Sequence, residues 1–188
     1  MSDLVIRRAG ENDAEALWSL IHSHQREGRL LPRELSELRR HASRFLVAQI
    51  AGKAGKKEGE SAELVACAEL APLSDRVAEV RSMVVNSKVR RVGLASRMVG
   101  EIRQRAASLG FETLCAFTHD ARFFVRQNFS IVPHTWLPAK IATDCVSCPL
   151  FRTCGQHAMM LPLVDIPMYV APAPPSTSTP AAARVAVA

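Results

Sequence analysis

Aromatic residues are scarce in this chain: they make up 5% of 188 residues, with a single Tyr. Proteins that grip nucleic acid pair a basic groove with aromatic stacking platforms. The net charge of +6 therefore does not point to nucleic acid, and no such partner is expected. A polyanionic cofactor uses basic charge equally well, and a solvated basic surface accounts for the rest. Long apolar runs are also missing, so no membrane span is expected. Met1-Ser2-Asp3 leads straight into a strand with no secretory signal pattern, which makes the cytoplasm the expected location. Neither the Walker phosphate loop nor the dinucleotide glycine triplet occurs, and no internal repeat is visible.

What remains is ordinary for a globular protein, 48% hydrophobic and 22% charged, and long enough to bury one good core. Leu4 to Arg8 reads as a strand. Asn12-Asp13 offers an N-cap to a helix carrying Ala16, Leu17, Leu20 and Ile21. After Gly28 a second helix shows Leu35 and Leu38 on one face. Strands follow at 45–50, 64–70 and 77–85, then a helix from Leu94, a strand at 113–118, a helix at 121–127, and strands at 129–132 and 157–164. This order predicts an α/β fold, a mixed central sheet with helices on both faces. One domain is expected over residues 1–164. Within it, 51–62 reads as a mobile hairpin loop and 144–157 as a cysteine-rich insertion. The Pro- and Ala-rich stretch 165–188 reads as a disordered tail.

The most informative stretch runs from Val77 to Phe111. A β-branched strand is followed by Arg90-Arg91-Val92-Gly93-Leu94-Ala95, and then by an amphipathic helix. Backbone N–H groups at a helix start lack intrahelical partners and sit at the positive end of the dipole. Small residues there let a phosphate approach, and the two arginines strengthen the field. The stretch is an anion cradle between a strand and a helix.

Arg90-x-x-Gly93-x-Ala95 resembles the Arg/Gln-x-x-Gly-x-Gly/Ala signature of the GNAT family of N-acetyltransferases, and the element order resembles a GNAT fold. The likeness extends over roughly residues 4 to 140 and is greatest to the acetyltransferase domain of bacterial N-acetylglutamate synthases. Gln25 to Arg33 is similar to their E-Q-G-x-L-x-x-R segment. Ala66-Cys67-Ala68 and Glu79 to Val85 are similar to two of their strands. Phe123 to Phe129 is similar to W-F-x-x-x-G-F, and Leu137-Pro138-Ala139-Lys140 to L-P-x-x-K. The amino-acid-kinase domain of many such synthases has no counterpart here.

The resemblance implies acetyl-CoA as cosubstrate, its pyrophosphate held by Arg90, Arg91, Val92, Gly93, Leu94 and Ala95. It implies that the backbone of Met83, Val84 and Val85 binds the pantetheine arm and polarises the acetyl carbonyl. Arg33 matches the arginine that binds the glutamate α-carboxylate, a task suited to a planar fork. Glu79 matches the proposed base, needed because only a neutral amine attacks the thioester. Two departures stand out. Phe117 occupies the place of the synthases' Ser or Thr acid, leaving Thr118 beside it as the candidate, and Asn128 replaces the Gly of the G-F pair. The R-x-S motif for the side-chain carboxylate has no clear counterpart.

Where that motif would begin, the chain carries Cys145-x2-Cys148, then Cys154 and His157. This set is compatible with tetrahedral Zn²⁺, with inert or redox-active thiols as the alternative, Cys145 and Cys148 able to pair. Cys67 and Cys115 lie in apolar runs and read as core residues.

The expected activity is acetyl transfer to the α-amine of an amino acid, foremost L-glutamate, as in arginine biosynthesis. The alternatives are acetylation of another small amine or a protein N-terminus, and a regulatory module that binds acetyl-CoA or metal without turnover. Homo-oligomerisation is left open.

Overall fold

The hydrophobic runs become one seven-stranded sheet. In chain order its strands are β1 (Leu4–Arg8), β2 (Phe45–Ile50), β3 (Leu64–Pro72), β4 (Val77–Val85), β5 (Thr113–Thr118), β6 (Ser130–Val132) and β7 (His157–Pro162). They pair in the order β1-β2-β3-β4-β5-β7-β6. Every pairing is antiparallel except the parallel β4–β5 pair. The helices are α1 (Ala14–Gln25), α2 (Leu35–His41), α3 (Leu94–Ser108) and α4 (Ala121–Val125). The computed structural model describes residues 4–25, 30–50, 63–90 and 92–164. The expected mobile loop at 51–62 and disordered tail at 165–188 lie outside the described residues.

Strand alternation divides the core between the two faces of the sheet. On β2, Phe45 and Val47 pack with Leu17 and Ile21 of α1 and Leu38 of α2. Leu46 and Ala48 instead join Met98 and Ile102 of α3. The α/β fold with helices on both faces is thus as the sequence predicted. On β5, Leu114 belongs to the α3 side, whereas Cys115 packs with Val132, Leu137 and Ala158. The chain after β6 therefore covers the half of the α1/α2 face that those helices leave bare. That placement brings Lys140, Asp144, Ser147 and Cys148 to the wall of a cleft.

Local details differ from the sequence reading. Asp13 does not cap α1 from outside. Residues Glu11–Asp13 form a 3-10 turn, and the Asp13 carboxylate accepts the Gly10 N–H at 2.8 Å and a bidentate bond from Arg7 at 2.7 and 2.8 Å. Helix α4 ends earlier than expected, in a Schellman turn. Asn128 N–H donates to Val125 O and Phe129 N–H to Phe124 O, with Asn128 at φ 68°. Asn tolerates this left-handed position better than other non-glycine residues. That is why Asn128 can stand where the GNAT pattern has Gly.

Candidate active site

Strands β4 and β5 run parallel in register from Val77 opposite Thr113 to Val80 opposite Ala116, and pair no further. Beyond Val80 they part, and a cleft of about 810 Å³ opens between them. The β3–β4 ladder breaks at the same level. Cys67 faces Val84 but Glu69 faces Arg81, so Ser82 and Met83 oppose a single residue. This is a β-bulge, with Ser82 at φ 49°. The strained residue is pinned from both sides. Arg33 Nη1 donates to Ser82 Oγ at 2.7 Å, and the Cys67 thiol donates to Ser82 O at 3.5 Å. Full burial pushes the Cys67 thiol up to about 12, so it stays protonated and able to donate.

At one end of the cleft, the chain leaves β4 and enters α3. Gly93 precedes the helix at φ 76° with no side chain within reach of an added Cβ, so glycine is required by backbone conformation and not by space. Arg90 turns back to donate from Nε to Val85 O at 3.1 Å. Met83, Val84, Val85, Arg90, Leu94 and Ala95 line the cleft, as does Gly93. Val92 is 61% exposed and does not line it. Arg91 lies outside the described residues. Thr118 faces the cleft from β5, and its hydroxyl accepts the Asp120 N–H at 2.9 Å.

The other end is charged. Glu79, only 3% exposed, receives Lys140 Nζ on both oxygens at 2.9 and 2.8 Å. Arg81 adds Nε and Nη2 contacts to its Oε2 at 3.0 and 2.7 Å. Lys140 and Arg81 also share one oxygen of Asp144, and Lys140 lies 5.2 Å from the Phe117 ring centre. Burial works against the charge of Arg81, but Glu79 and Asp144 outweigh it and its pKa lies above the ordinary value.

Arg33 also lines the cleft, yet its fork is filled. Glu37 takes Nε and Nη2 at 3.1 and 2.8 Å, and Glu69 takes Nη1 at 2.9 Å. Glu69 is 1% exposed. Again burial opposes the charge and the two carboxylates overcome it, leaving the guanidinium pKa raised. Among the described residues no buried side-chain polar atom lacks a partner.

In the sequence Lys140 belongs only to the L-P-x-x-K segment and Asp144 only to the cysteine-rich stretch 144–157, and Glu37 and Glu69 fall in no motif. One signal was available: Lys140 and Asp144 are an i, i+4 pair of opposite charge beginning two residues after Pro138. Glu69 inside an apolar strand carried none.

The zinc expectation for Cys145, Cys148, Cys154 and His157 finds no support. Among the described residues no group of three or more His, Cys, Asp or Glu side chains is placed to hold a metal ion. Cys145 and Cys148 are successive corners of a tight turn, with Cys148 N–H on Cys145 O at 3.0 Å. Cys154 follows a separate 3-10 turn, and His157 starts β7 opposite Thr118. All five cysteines are free, and only Cys148 of the three in this segment lines the cleft. No helix among the described residues is long and apolar enough to cross a membrane.

The family model described as "Acetyltransferase (GNAT) family" matches residues 11–129. An uncharacterized N-acetyltransferase of Chlorobaculum tepidum is 25% identical over 159 residues, covering 85% of this chain and 96% of its own length. The amino-acid acetyltransferase of Pseudomonas aeruginosa is 30% identical over 140 residues, or 73% of this chain, which spans only 30% of that longer protein. Among solved structures, N-acetylglutamate synthase from Neisseria gonorrhoeae complexed with coenzyme A and N-acetyl-glutamate superposes with a TM-score of 0.71 at 22% identity, over 88% of this chain and 36% of that one. A Mycobacterium tuberculosis protein solved with CoA gives 0.67 at 20% identity, over 85% and 99%. The chain belongs to the GNAT family of acetyl-CoA-dependent N-acetyltransferases.

Proposed function

We propose that this chain transfers the acetyl group of acetyl-CoA to the α-amine of a free amino acid, with L-glutamate the foremost acceptor. The observation that carries the reading is the meeting, in one cleft, of a bulged strand edge, a helix start opened by Gly93 and the buried carboxylate of Glu79. Relatives named amino-acid acetyltransferase, and a structural neighbour holding N-acetyl-glutamate, support the choice of acceptor.

Acetyl-CoA supplies the acetyl group as a thioester. The first turn of α3 offers unpaired N–H groups and dipole charge to the pyrophosphate. The β4 edge, released from β5 beyond Val80, offers main-chain hydrogen bonds to the pantetheine arm in the manner of an added strand. Backbone N–H groups at the bulge stabilise the oxyanion that forms when the amine attacks the carbonyl carbon. Glu79 takes the proton that the acceptor ammonium must lose, through water, and collapse expels the CoA thiolate. Thr118, which lines the cleft, returns a proton to it. A thiolate is a fair leaving group, so this last role is the less demanding one.

The test is CoA-thiol release from acetyl-CoA across the free amino acids, with the product identified by mass spectrometry. Turnover of L-glutamate in preference to the others supports the reading. Acetylation of peptides or simple amines in place of any free amino acid overturns it.

A further inference from the structure

We infer that Arg81 and Lys140 form the subsite for the acceptor's α-carboxylate, and that Asp144 occupies this subsite as an internal substitute for it. The inference rests on the amino-acid reading above and deepens it. It assigns the carboxylate to a pair of cations other than Arg33, and it makes a free α-carboxylate a condition for acceptance.

Charge is the first argument. Glu79, Arg81, Lys140 and Asp144 form one contiguous network of two cations and two anions. Glu79 is its buried member, with a side chain 4% exposed. Asp144 is the most accessible of the four, half-buried at 31%. With Asp144 turned away, Arg81, Lys140 and Glu79 carry one net positive charge inside a partly desolvated cleft. A single carboxylate from a ligand restores the balance, and a neutral amide does not. At Arg33 the count is opposite. One guanidinium is held by Glu37 and Glu69, so that pocket is net negative and offers a carboxylate no gain.

Geometry is the second. One oxygen, Asp144 Oδ2, bridges Lys140 Nζ, at 2.8 Å, and Arg81 Nη2. A carboxylate shared between an ammonium and a guanidinium is how a substrate carboxylate is gripped. The same two cations touch Glu79, and Arg81 directly precedes the bulge at Ser82 and Met83. In an α-amino acid the ammonium and the carboxylate share one carbon. A carboxylate in the place of Asp144 therefore sets the ammonium beside Glu79 and within the cleft where the thioester is presented. A peptide N-terminus, whose α-carboxyl is an amide, lacks this anchor.

Accessibility is the third. Asp144 sits on the short turn 141–145 with Lys140 one turn before it. Exchange for a ligand carboxylate requires a side-chain rotation at a half-buried position on the cleft wall, with no rearrangement of the sheet.

The experiment is steady-state kinetics of the full chain with acetyl-CoA, comparing L-glutamate with its α-amide, which keeps the side chain and removes only the α-carboxylate. For the unaltered protein, kcat/KM for the α-amide falls at least tenfold below that for glutamate. Asp144→Asn removes the internal competitor, so the KM for glutamate drops severalfold and the acid-to-amide ratio of kcat/KM widens. Lys140→Met raises the KM for glutamate about tenfold and narrows the acid-to-amide ratio, and this variant decides the matter if Asp144→Asn fails to fold. An α-amide used as well as the acid overturns the subsite, as do variants that shift both acceptors equally. If neither compound is acetylated and other classes of amine are, the amino-acid reading itself has failed. The two failures are thereby told apart.

Discussion

The two ends of the cleft are built on different principles. The end proposed for the cofactor is made of backbone, in the β4 edge at 81–85, the bulge at Ser82 and Met83, and the turn through Gly93 into α3. Its parts lie within one stretch of chain. The end proposed for the acceptor is made of side chains, namely Arg33, Glu37, Glu79, Arg81, Lys140 and Asp144, with Glu69 behind Arg33, drawn from α2 and its approach, β3, β4 and the turns after β6. Backbone groups bind what every member of such a family shares. Side chains from separate elements vary independently, and they define what is particular to one acceptor.

Substitutions at the two ends should therefore separate cofactor effects from acceptor effects. The largest effect is expected from Glu79→Gln. Loss of the proposed base lowers kcat by on the order of 100-fold, with the KM for acetyl-CoA nearly unchanged. Pre-steady-state and steady-state rates over a pH series check this, and unchanged turnover removes Glu79 from the base role. Next in size is a stability effect at the acceptor end. Glu69→Gln leaves the buried Arg33 with Glu37 alone, and unfolding in urea should register a loss of about 3 kcal/mol.

Gly93→Ala probes the cofactor end. An alanine held at φ 76° costs about 1 kcal/mol in backbone strain. Calorimetric titration with CoA should show weaker binding while the KM of the acceptor stays constant. A matching change in acceptor KM would show that the two ends are not independent.

The cysteines give a smaller, chemical contrast. Burial holds Cys67 and Cys115 thiols above their ordinary pKa, so both resist iodoacetamide until the chain unfolds. Cys154 is exposed and should be alkylated first in the native protein. Metal analysis of that same sample should find no stoichiometric zinc. Smallest is a pH effect remote from the cleft. The Arg7 hydrogen bonds hold the Asp13 carboxyl below its ordinary 3.8. The stability this contributes is fully present above the unfolded value and is lost as pH falls through the lower folded one. After allowance for solvent screening it amounts to about 0.5 kcal/mol, measurable as the difference between the unaltered chain and Asp13→Asn in acid denaturation.

Most strands and helices were legible because apolar periodicity is a local property. The apolar strand from Val77 and the Leu94, Met98, Ile102 spacing both lie in plain view along the chain. The cradle at Gly93 was legible for the same reason, since a strand, a turn and a helix start are adjacent in sequence. Asn128 was legible only as a departure, because its left-handed φ is a property of the completed Schellman turn. The cysteine segment misled because metal-ligand spacing along a chain does not state where the side chains point. Successive tight turns at 141–153 hold the thiols without assembling a ligand set.

Local pattern, then, was enough for the strand and helix content, the mixed α/β class and the glycine turn between β4 and α3, while Glu79 as a candidate base came only from the resemblance to the synthases. Those features depend on residues a few positions apart, whose spacing and chemistry are written in order. The rest depends on distance in space. Burial of Glu69, the filling of the Arg33 fork, the parting of β4 from β5 after Val80, and the meeting of Glu79 with Lys140 all need the chain to return to the same place after tens of residues. A charged side chain in a sequence carries no mark of its eventual partner. Only when the segment after β6 closes over the open half of the α1/α2 face do Lys140 and Asp144 reach Arg81, because the bare apolar surface around Cys115 must be covered by something.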